Sequence, residues 1–179
     1  MLTVGDRFPA FQLTATVSAD PSRSFRELSD RDDAGRWKVF FFYPKDFTFV
    51  CPTEIAAFGE LASEFEKRDA VVYGASTDSE YVHRAWLEHE PLLKALPVPL
   101  LADVRRDLSQ ALGILHREEG VCLRATFIVD PEGVIRFVTV NDLAVGRNAD
   151  EVLRVLDALQ SGGLTACGWT TGDPNLEAA

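Results

Sequence analysis

The stretch WKVFFFYP, residues 37–44, constrains the fold more than any other part of the chain. A strand with one wet face alternates polar and apolar residues, because successive side chains point to opposite sides of the sheet. From Val39 to Tyr43 nothing alternates; every side chain is apolar. Both faces of this strand must therefore be covered, which places it at the centre of a sheet with helices packed on both sides.

The rest of the chain supplies those neighbours. AVVYGAS (70–76) and VPLLAD (98–103) have strand length and apolar character. From about Thr48 a helical period puts Ile55, Phe58, Leu61, Ala62 and Phe65 on one face, with Glu60, Glu64 and Lys67 opposite. EYVHRAWLEHE (80–90) is a second helix, capped by Asp78 or Ser79 and stopped at Pro91, and RRDLSQALG (105–113) a short third, closed by Gly113. CLRATFIVD (122–130) and VIRFVTVND (134–142) flank Pro131-Glu132-Gly133, a strong hairpin signal. A last amphipathic helix starts at Asn148 or Asp150, runs through Val152, Val155, Leu156 and Leu159, and halts at Gly162-Gly163. The first 35 residues read as extended and turn-rich. The order β-α-β-α-β-α-β-β-α predicts one α/β domain around a mixed sheet, helices on both faces.

Composition narrows the function. The 18 basic residues stand against 28 acidic ones, a net charge of −10, which argues against nucleic acid as a partner. No window approaches 18 uninterrupted apolar residues, so no membrane span is expected. The opening MLTVGDRFPAFQ lacks a basic region followed by an apolar core, so no signal peptide is readable and a cytoplasmic location is the default. Cys51, Cys122 and Cys167 are too few and too widely spaced for a disulfide framework or a zinc site. His83, His89 and His116 form no paired-ligand pattern, and neither a metal nor an organic cofactor is expected. A buried, inert thiol is the ordinary state of a free cysteine.

Cys51 departs from that state by its position. In open α/β sheets chemistry gathers at the carboxyl ends of the strands, and Cys51 lies where the central strand has just ended and a helix begins. The free N–H groups and positive dipole of a helix start stabilise a thiolate. Pro52 suits that first turn, since its missing N–H would be unpaired there in any case. Thr48 can bring a hydroxyl to the sulfur or its substrate. Glu54, one turn on, opposes an anion unless it anchors a cation, and two are available. Arg124 interrupts an apolar strand, where alternation puts it on one face with Cys122, Thr126 and Ile128; Arg147 precedes the last helix. A guanidinium inside a sheet is costly unless it is paired with an anion. On pattern alone a structural ion pair for Arg124, and a solvated or helix-start position for Arg147, stand beside a catalytic role.

YPKDFTFVCPTE (43–54) resembles the peroxiredoxins, specifically the alkyl hydroperoxide reductase C group of typical two-cysteine enzymes. Pro44, Thr48 and Cys51 match the pattern P-x-x-x-T-x-x-C, followed by Pro52, Thr53 and Glu54, and RATFIVDPEGVIRFVTVNDLAVGRNADEVLRVLDALQ (124–160) is similar to the group's second signature. The resemblance covers residues 1 to 174. It implies a thioredoxin-like fold with an N-terminal extension, organised as a peroxidase domain (1–160) and a C-terminal tail (161–179). It implies that Cys51 attacks the terminal peroxide oxygen and becomes a sulfenic acid. Thr48 would bond the thiolate and peroxide, Arg124 would stabilise the thiolate and leaving alkoxide, Pro44 would shield the pocket, and Glu54 would orient both arginines. It further implies a homodimer, assembling as five dimers into a decamer. The electron donor would be a flavin-dependent disulfide reductase, thioredoxin or an alkylhydroperoxidase-type adaptor.

The resolving thiol is where the match departs from the pattern. In typical two-cysteine members it occupies a C-x-x-x-W segment of the partner's tail; here the tail reads LTACGW, with Thr165 four residues before Trp169 and Cys167 only two before it. Two residues of extended chain shift a sulfur by about 6–7 Å. Cys167 is read as the resolving thiol across the dimer, with Cys122 as a fallback. A one-cysteine peroxidase, reduced directly by a small thiol, is the alternative. The Gly-Gly-Leu-Gly insertion and Tyr-Phe helix of peroxide-sensitive relatives do not occur, so resistance to overoxidation is expected. A general thiol–disulfide oxidoreductase would want C-x-x-C, and position 54 is glutamate. A chaperone-like holdase is the non-enzymatic alternative.

Overall fold

A computed structural model describes residues 1–177 of the chain. Among the described residues seven strands form one mixed sheet in the order β2 (Phe25–Ser29), β1 (Gln12–Thr16), β5 (Leu100–Ala102), β4 (Ala70–Ser76), β3 (Trp37–Phe42), β6 (Arg124–Val129), β7 (Ile135–Asn141). The apolar run becomes β3 (Trp37–Phe42) at its interior. It pairs in parallel with β4 (Ala70–Ser76), Val39 opposite Val72, and antiparallel with β6 (Arg124–Val129), Val39 opposite Ile128. β5 (Leu100–Ala102) runs parallel to β4, and β7 (Ile135–Asn141) closes that end antiparallel to β6. The β6–β7 turn forms as the sequence predicts. Gly133 takes φ +82° in it, and Asp130 Oδ1 accepts from the backbone N–H groups of Glu132 and Val134 at 3.0 and 2.8 Å.

The mixed, doubly covered sheet matches the expected fold class, with one addition in the N-terminal extension. Residues read as merely extended form a hairpin, β1 (Gln12–Thr16) against β2 (Phe25–Ser29), and β1 joins the sheet beside β5. Only Ala15, Thr16 and Leu28 of these strands are buried, so neither shows the apolar run or clean alternation that identified the others.

Two cores result, one on each side of the sheet. Val39, Phe41 and Tyr43 face Cys51, Ile55, Phe58, Phe65, Trp86 and Leu156. Phe40 and Phe42 face the other way, with Ala15, Tyr73, Leu108, Cys122 and Phe127. Phe41 stacks on Phe58 at 4.3 Å between centroids, and Phe40 is sandwiched between Phe8 at 4.2 Å and Tyr73 at 5.1 Å. Each buried phenylalanine contributes about 1.5–3 kcal/mol, a large share of the net stability of a domain. The unbroken apolar run is what both cores require.

The helix after β3 begins later than expected. α1 is Cys51–Glu60, and α2 (Ala62–Glu66) follows a break at Leu61. Thr48 lies outside, in a loop where Phe47 adopts φ +55° and the Thr48 hydroxyl donates to the Lys45 carbonyl at 2.8 Å. The helix takes in nothing before Cys51, so the periodicity does not reach back to Thr48. α3 (Glu80–His89) is capped by Ser79, whose hydroxyl accepts from Val82 N at 3.4 Å; α5 (Ala149–Gln160) is capped by Asn148, which accepts from Glu151 N at 3.2 Å. α4 (Asp107–Leu112) ends at Gly113, whose φ of +72° and approach to the Met1 backbone leave no room for a Cβ.

The tail folds back on α5. Trp169 is buried, its carbonyl accepts from Arg154 Nη1 at 2.7 Å, and Leu176 N donates to Leu164 O at 2.7 Å. Positions 178 and 179 of the proposed tail lie outside the described residues. Among the described residues no helix is long and apolar enough to cross a membrane.

Candidate active site

Cys51 is the first residue of α1, and Val50 before it has no side-chain oxygen to cap the helix. The positive end of the helix is therefore left to the sulfur and whatever meets it. The side chain is fully buried beneath the loop 44–50, of which Pro44 is also buried.

Arg124 reaches it from the start of β6. Its Nη1 donates to Cys51 Sγ at 3.3 Å and to Glu54 Oε2 at 2.5 Å, and its Nε donates to the Leu143 carbonyl at 2.8 Å. Arg147, in the segment leading to α5, binds Glu54 through Nε at 2.8 Å, Nη2 at 2.9 Å and its backbone N at 2.9 Å. Its Nη1 donates to the Phe42 and Ala125 carbonyls at 2.8 and 2.9 Å, and the guanidinium lies 5.5 Å from the Phe41 ring centre. The three charged side chains are between 2% and 4% exposed. One carboxylate thus fixes two guanidinium groups, leaving one net positive charge in a site from which water is largely excluded. At low effective dielectric that charge acts strongly on any anion formed at Sγ.

Thr48 is half-buried in the loop, its hydroxyl proton given to Lys45 O and not to the sulfur. Cys122 is on the other side of the sheet from Cys51, which corrects the expectation that it shares a face with Arg124. The alternation does hold for Ile128, which packs in the Cys51 core. It fails at the strand start, where Ala125 N donates to Leu123 O at 2.9 Å, a three-residue turn centred on Arg124 that re-aims the chain before it. Cys122 there contacts Ser109 Oγ at 3.1 Å, and burial pushes its thiol up to about 12. Cys167 is exposed, in a turn closed by Trp169 N donating to Ala166 O at 3.1 Å, and borders an open groove of about 660 Å³ beside Arg154 and Leu159.

A second buried polar cluster lies under the same loop and was not anticipated from the sequence. His83, on the buried face of α3, places Nδ1 2.7 Å from Asp46 Oδ2 and Nε2 3.3 Å from the Leu101 carbonyl. The Tyr43 hydroxyl lies 3.4 Å from Nδ1, and Asp46 N donates to Asp78 Oδ2 at 3.0 Å. Burial raises the Asp46 carboxyl above its usual range and the Tyr43 phenol well above its own. The available signal was positional: His83 sits three and four residues before Trp86 and Leu87, on the helix's apolar stripe.

A family model described as AhpC/TSA matches residues 4–138 of the chain. The alkyl hydroperoxide reductase C of Mycobacterium tuberculosis is 53% identical over 186 residues, covering 99% of this chain and 95% of its own. Peroxiredoxin-2 of Bos taurus is 45% identical over 181 residues, covering 97% of this chain and 89% of its own. Among solved structures, Mycobacterium tuberculosis AhpC superposes with a TM-score of 0.87 at 52% identity, over 94% of this chain and 99% of that one. The reduced 2-Cys peroxiredoxin of Plasmodium vivax gives 0.90 at 34% identity, over 98% and 93%.

Proposed function

This chain belongs to the AhpC/TSA family, and from that premise we propose how its residues divide the work of a thiol-dependent peroxidase. The enzyme is a peroxiredoxin of the alkyl hydroperoxide reductase C group, with the thioredoxin-like fold of that group. It acts on peroxides and depends on a reducing partner. The remaining assignments are our reading.

Cys51 is the nucleophile. Its thiolate attacks the terminal oxygen of the hydroperoxide, the O–O bond breaks, and the departing alkoxide takes a proton and leaves as alcohol, or as water from hydrogen peroxide. Cys51 is left as a sulfenic acid. The observation that carries the assignment is the Arg124 guanidinium, bonded at once to Sγ and to Glu54 and therefore aimed before substrate arrives. Arg124 faces the negative charge that builds on the leaving oxygen, a preorganised donor that need not reorient during the reaction. Arg147 holds Glu54, and Glu54 holds Arg124, so both are positioning residues. Thr48, its proton committed to Lys45 O, offers its oxygen to the hydroperoxide's own proton. Pro44 closes the pocket against water.

Cys167 of a second protomer resolves the sulfenic acid: its sulfur bonds to Cys51 Sγ, water leaves, and an intersubunit disulfide remains. Its exposure favours this role, while Cys122 is sealed in the opposite core. Residues 1–160 form the peroxidase domain and 161–179 the tail that delivers the thiol. β7 is an edge strand of seven residues with an unpaired side, the kind of surface that pairs with a second copy. Exposed Phe47, Phe49, Tyr81 and Val82 suit association of such dimers into a decamer. The donor that reduces the disulfide is a flavin-dependent reductase, thioredoxin or an alkylhydroperoxidase-type adaptor, and the enzyme works in the cytoplasm on hydrogen peroxide and organic hydroperoxides.

Stopped-flow peroxide consumption with these reductants, on wild type and each Cys→Ser variant, tests the scheme. Cys51→Ser should abolish turnover, whereas a holdase would survive that change. Turnover by Cys167→Ser with a small thiol alone, at the wild-type rate, would make this a one-cysteine enzyme.

A further inference from the structure

A second cation sits on an interior strand. Lys38 is the second residue of β3, half-buried, and strand alternation puts it on the rear face with Phe40 and Phe42. A charge held inside a sheet needs an anion to offset its lost hydration. Arg124 has Glu54; Lys38 has no such partner. Its Nζ donates to the Asp30 backbone carbonyl at 3.0 Å and forms no ion pair among the described residues. The carboxylates whose charge reaches it are engaged elsewhere. Asp30 Oδ1 accepts from Phe11 N at 3.3 Å, and Asp32 pairs with Arg26 and accepts from Ser29 N. Asp33 pairs with Arg36 and accepts from the Tyr73 hydroxyl. Burial outweighs their longer-range attraction and lowers the Lys38 ammonium below the ordinary lysine value.

Beside this amine is a cavity of about 200 Å³ walled by Phe8, Phe11 and Phe40. Phe8 stacks on Phe40 at 4.2 Å and meets Phe11 edge-on at 6.4 Å, so the wall is apolar and braced. The volume is below the roughly 300–1,000 Å³ of a drug-sized site, which sets the ligand as a small one. Arg7 at the border is balanced by Asp30 and Glu132, so the cavity favours no net charge in its occupant. Lys38 stands at the start of β3, whereas Cys51 lies past its end and on the opposite face. The cavity has no part in the peroxide site. A lysine desolvated beside apolar walls is the setting in which an amine becomes a nucleophile toward carbonyl groups.

We propose that Lys38 is a covalent binding site for a small apolar aldehyde, held as an imine with its chain against Phe8, Phe11 and Phe40. The free amine attacks the carbonyl carbon, the π pair moves to oxygen, and that oxygen takes a proton. Nitrogen then gives up its remaining hydrogens as the oxygen departs in water, which leaves C=N. Nothing is oxidised or reduced, and one water is the only by-product. The bond to Asp30 O holds Nζ in place for the attack. Aldehydes form where organic hydroperoxides fragment instead of being reduced, so the ligand arises beside the peroxides on which the enzyme acts.

The chain carries its own controls, for it has three other lysines. Lys45 and Lys67 are ion-paired with Glu119 and Glu64, and Lys94 is exposed. The full-length enzyme is incubated at neutral pH with propanal, butanal, pentanal or hexanal and sodium cyanoborohydride, which reduces an imine to a stable secondary amine. Peptide mass spectrometry reads the initial labelling rate at each lysine. Lys38 should be labelled faster than Lys94, and their ratio should rise about fourfold for each methylene the cavity takes in. Lys38→Arg keeps the cation and should lose that label alone, with peroxide turnover unchanged. The decisive ratio is measured within wild type, so it does not depend on the variant folding. A ratio flat with chain length, or faster labelling of Lys94 by every aldehyde, would overturn the proposal and leave Lys38 a structural cation. The proposal stands apart from the Cys51 assignments: their failure would leave the label in place, and absence of the label would leave them untouched.

Discussion

Replacing Arg124 with lysine keeps the positive charge and removes only the geometry. Three contacts are at stake: Nε to the Leu143 carbonyl, and Nη1 to both Glu54 and Cys51 Sγ. A single ammonium cannot reproduce the fork. It must choose, and the carboxylate of Glu54, inside a site 4% exposed or less, outcompetes the larger and more diffuse sulfur. Glu54 therefore keeps its cation and Cys51 loses its donor. The Leu143 bond, lost as well, costs about 1–3 kcal/mol of stability. Withdrawing one donor aimed at developing charge costs about 2.7–4 kcal/mol at the transition state, or 10²–10³ in rate. Stopped-flow measurement of the second-order rate constant for hydrogen peroxide should show that fall, with the folded state retained by circular dichroism. A lysine variant within about threefold of wild type, under 1 kcal/mol, would mean that charge alone suffices and that the fork is structural.

Glu54→Gln should lower stability by about 3–5 kcal/mol, since it strands two buried guanidinium groups without an anion; urea unfolding measures it. Cys167→Ser should form no disulfide-linked dimer on non-reducing gels after peroxide and should instead accumulate sulfinate at Cys51, whereas wild type should resist overoxidation. Cys122 should stay unmodified by iodoacetamide in the native enzyme at pH 8. With its thiol near 12 the thiolate there is roughly one part in 10⁴, and labelling should appear only with alkali or unfolding.

What the sequence disclosed followed from how many faces each element buries. β3, β4 and β6 are sealed on both sides, so their composition alone marks them. β1 buries two positions of five and β2 one, and Val17 to Ser24 between them, although it holds the turn signal Asp20-Pro21, is longer than the short loops that mark a hairpin, so the hairpin stayed hidden. The Arg124–Glu54–Arg147 group was legible because charge inside an apolar strand demands a partner. The left-handed Phe47 and the turn at Arg124 were not, since neither involves glycine or proline. The helix starts three residues later than its periodicity suggests, and the turn at Arg124 sends Cys122 to the opposite core. His83 was passed over because a search for metal ligands looks for histidines near each other, not for one histidine beside an aspartate 37 positions away.

The division of the interior into two cores by one sheet has an engineering consequence. Reactive enzymes commonly lose activity when stiffened, because the groups being tightened are those that must move. Here Phe8, Phe40, Tyr73 and Phe127 lie behind the sheet from Cys51, among residues with no share in the site around it. Directed evolution confined to that rear layer could raise heat tolerance while leaving turnover to be selected separately on the other face. The same partition would let natural variants drift in thermal range without renegotiating their chemistry.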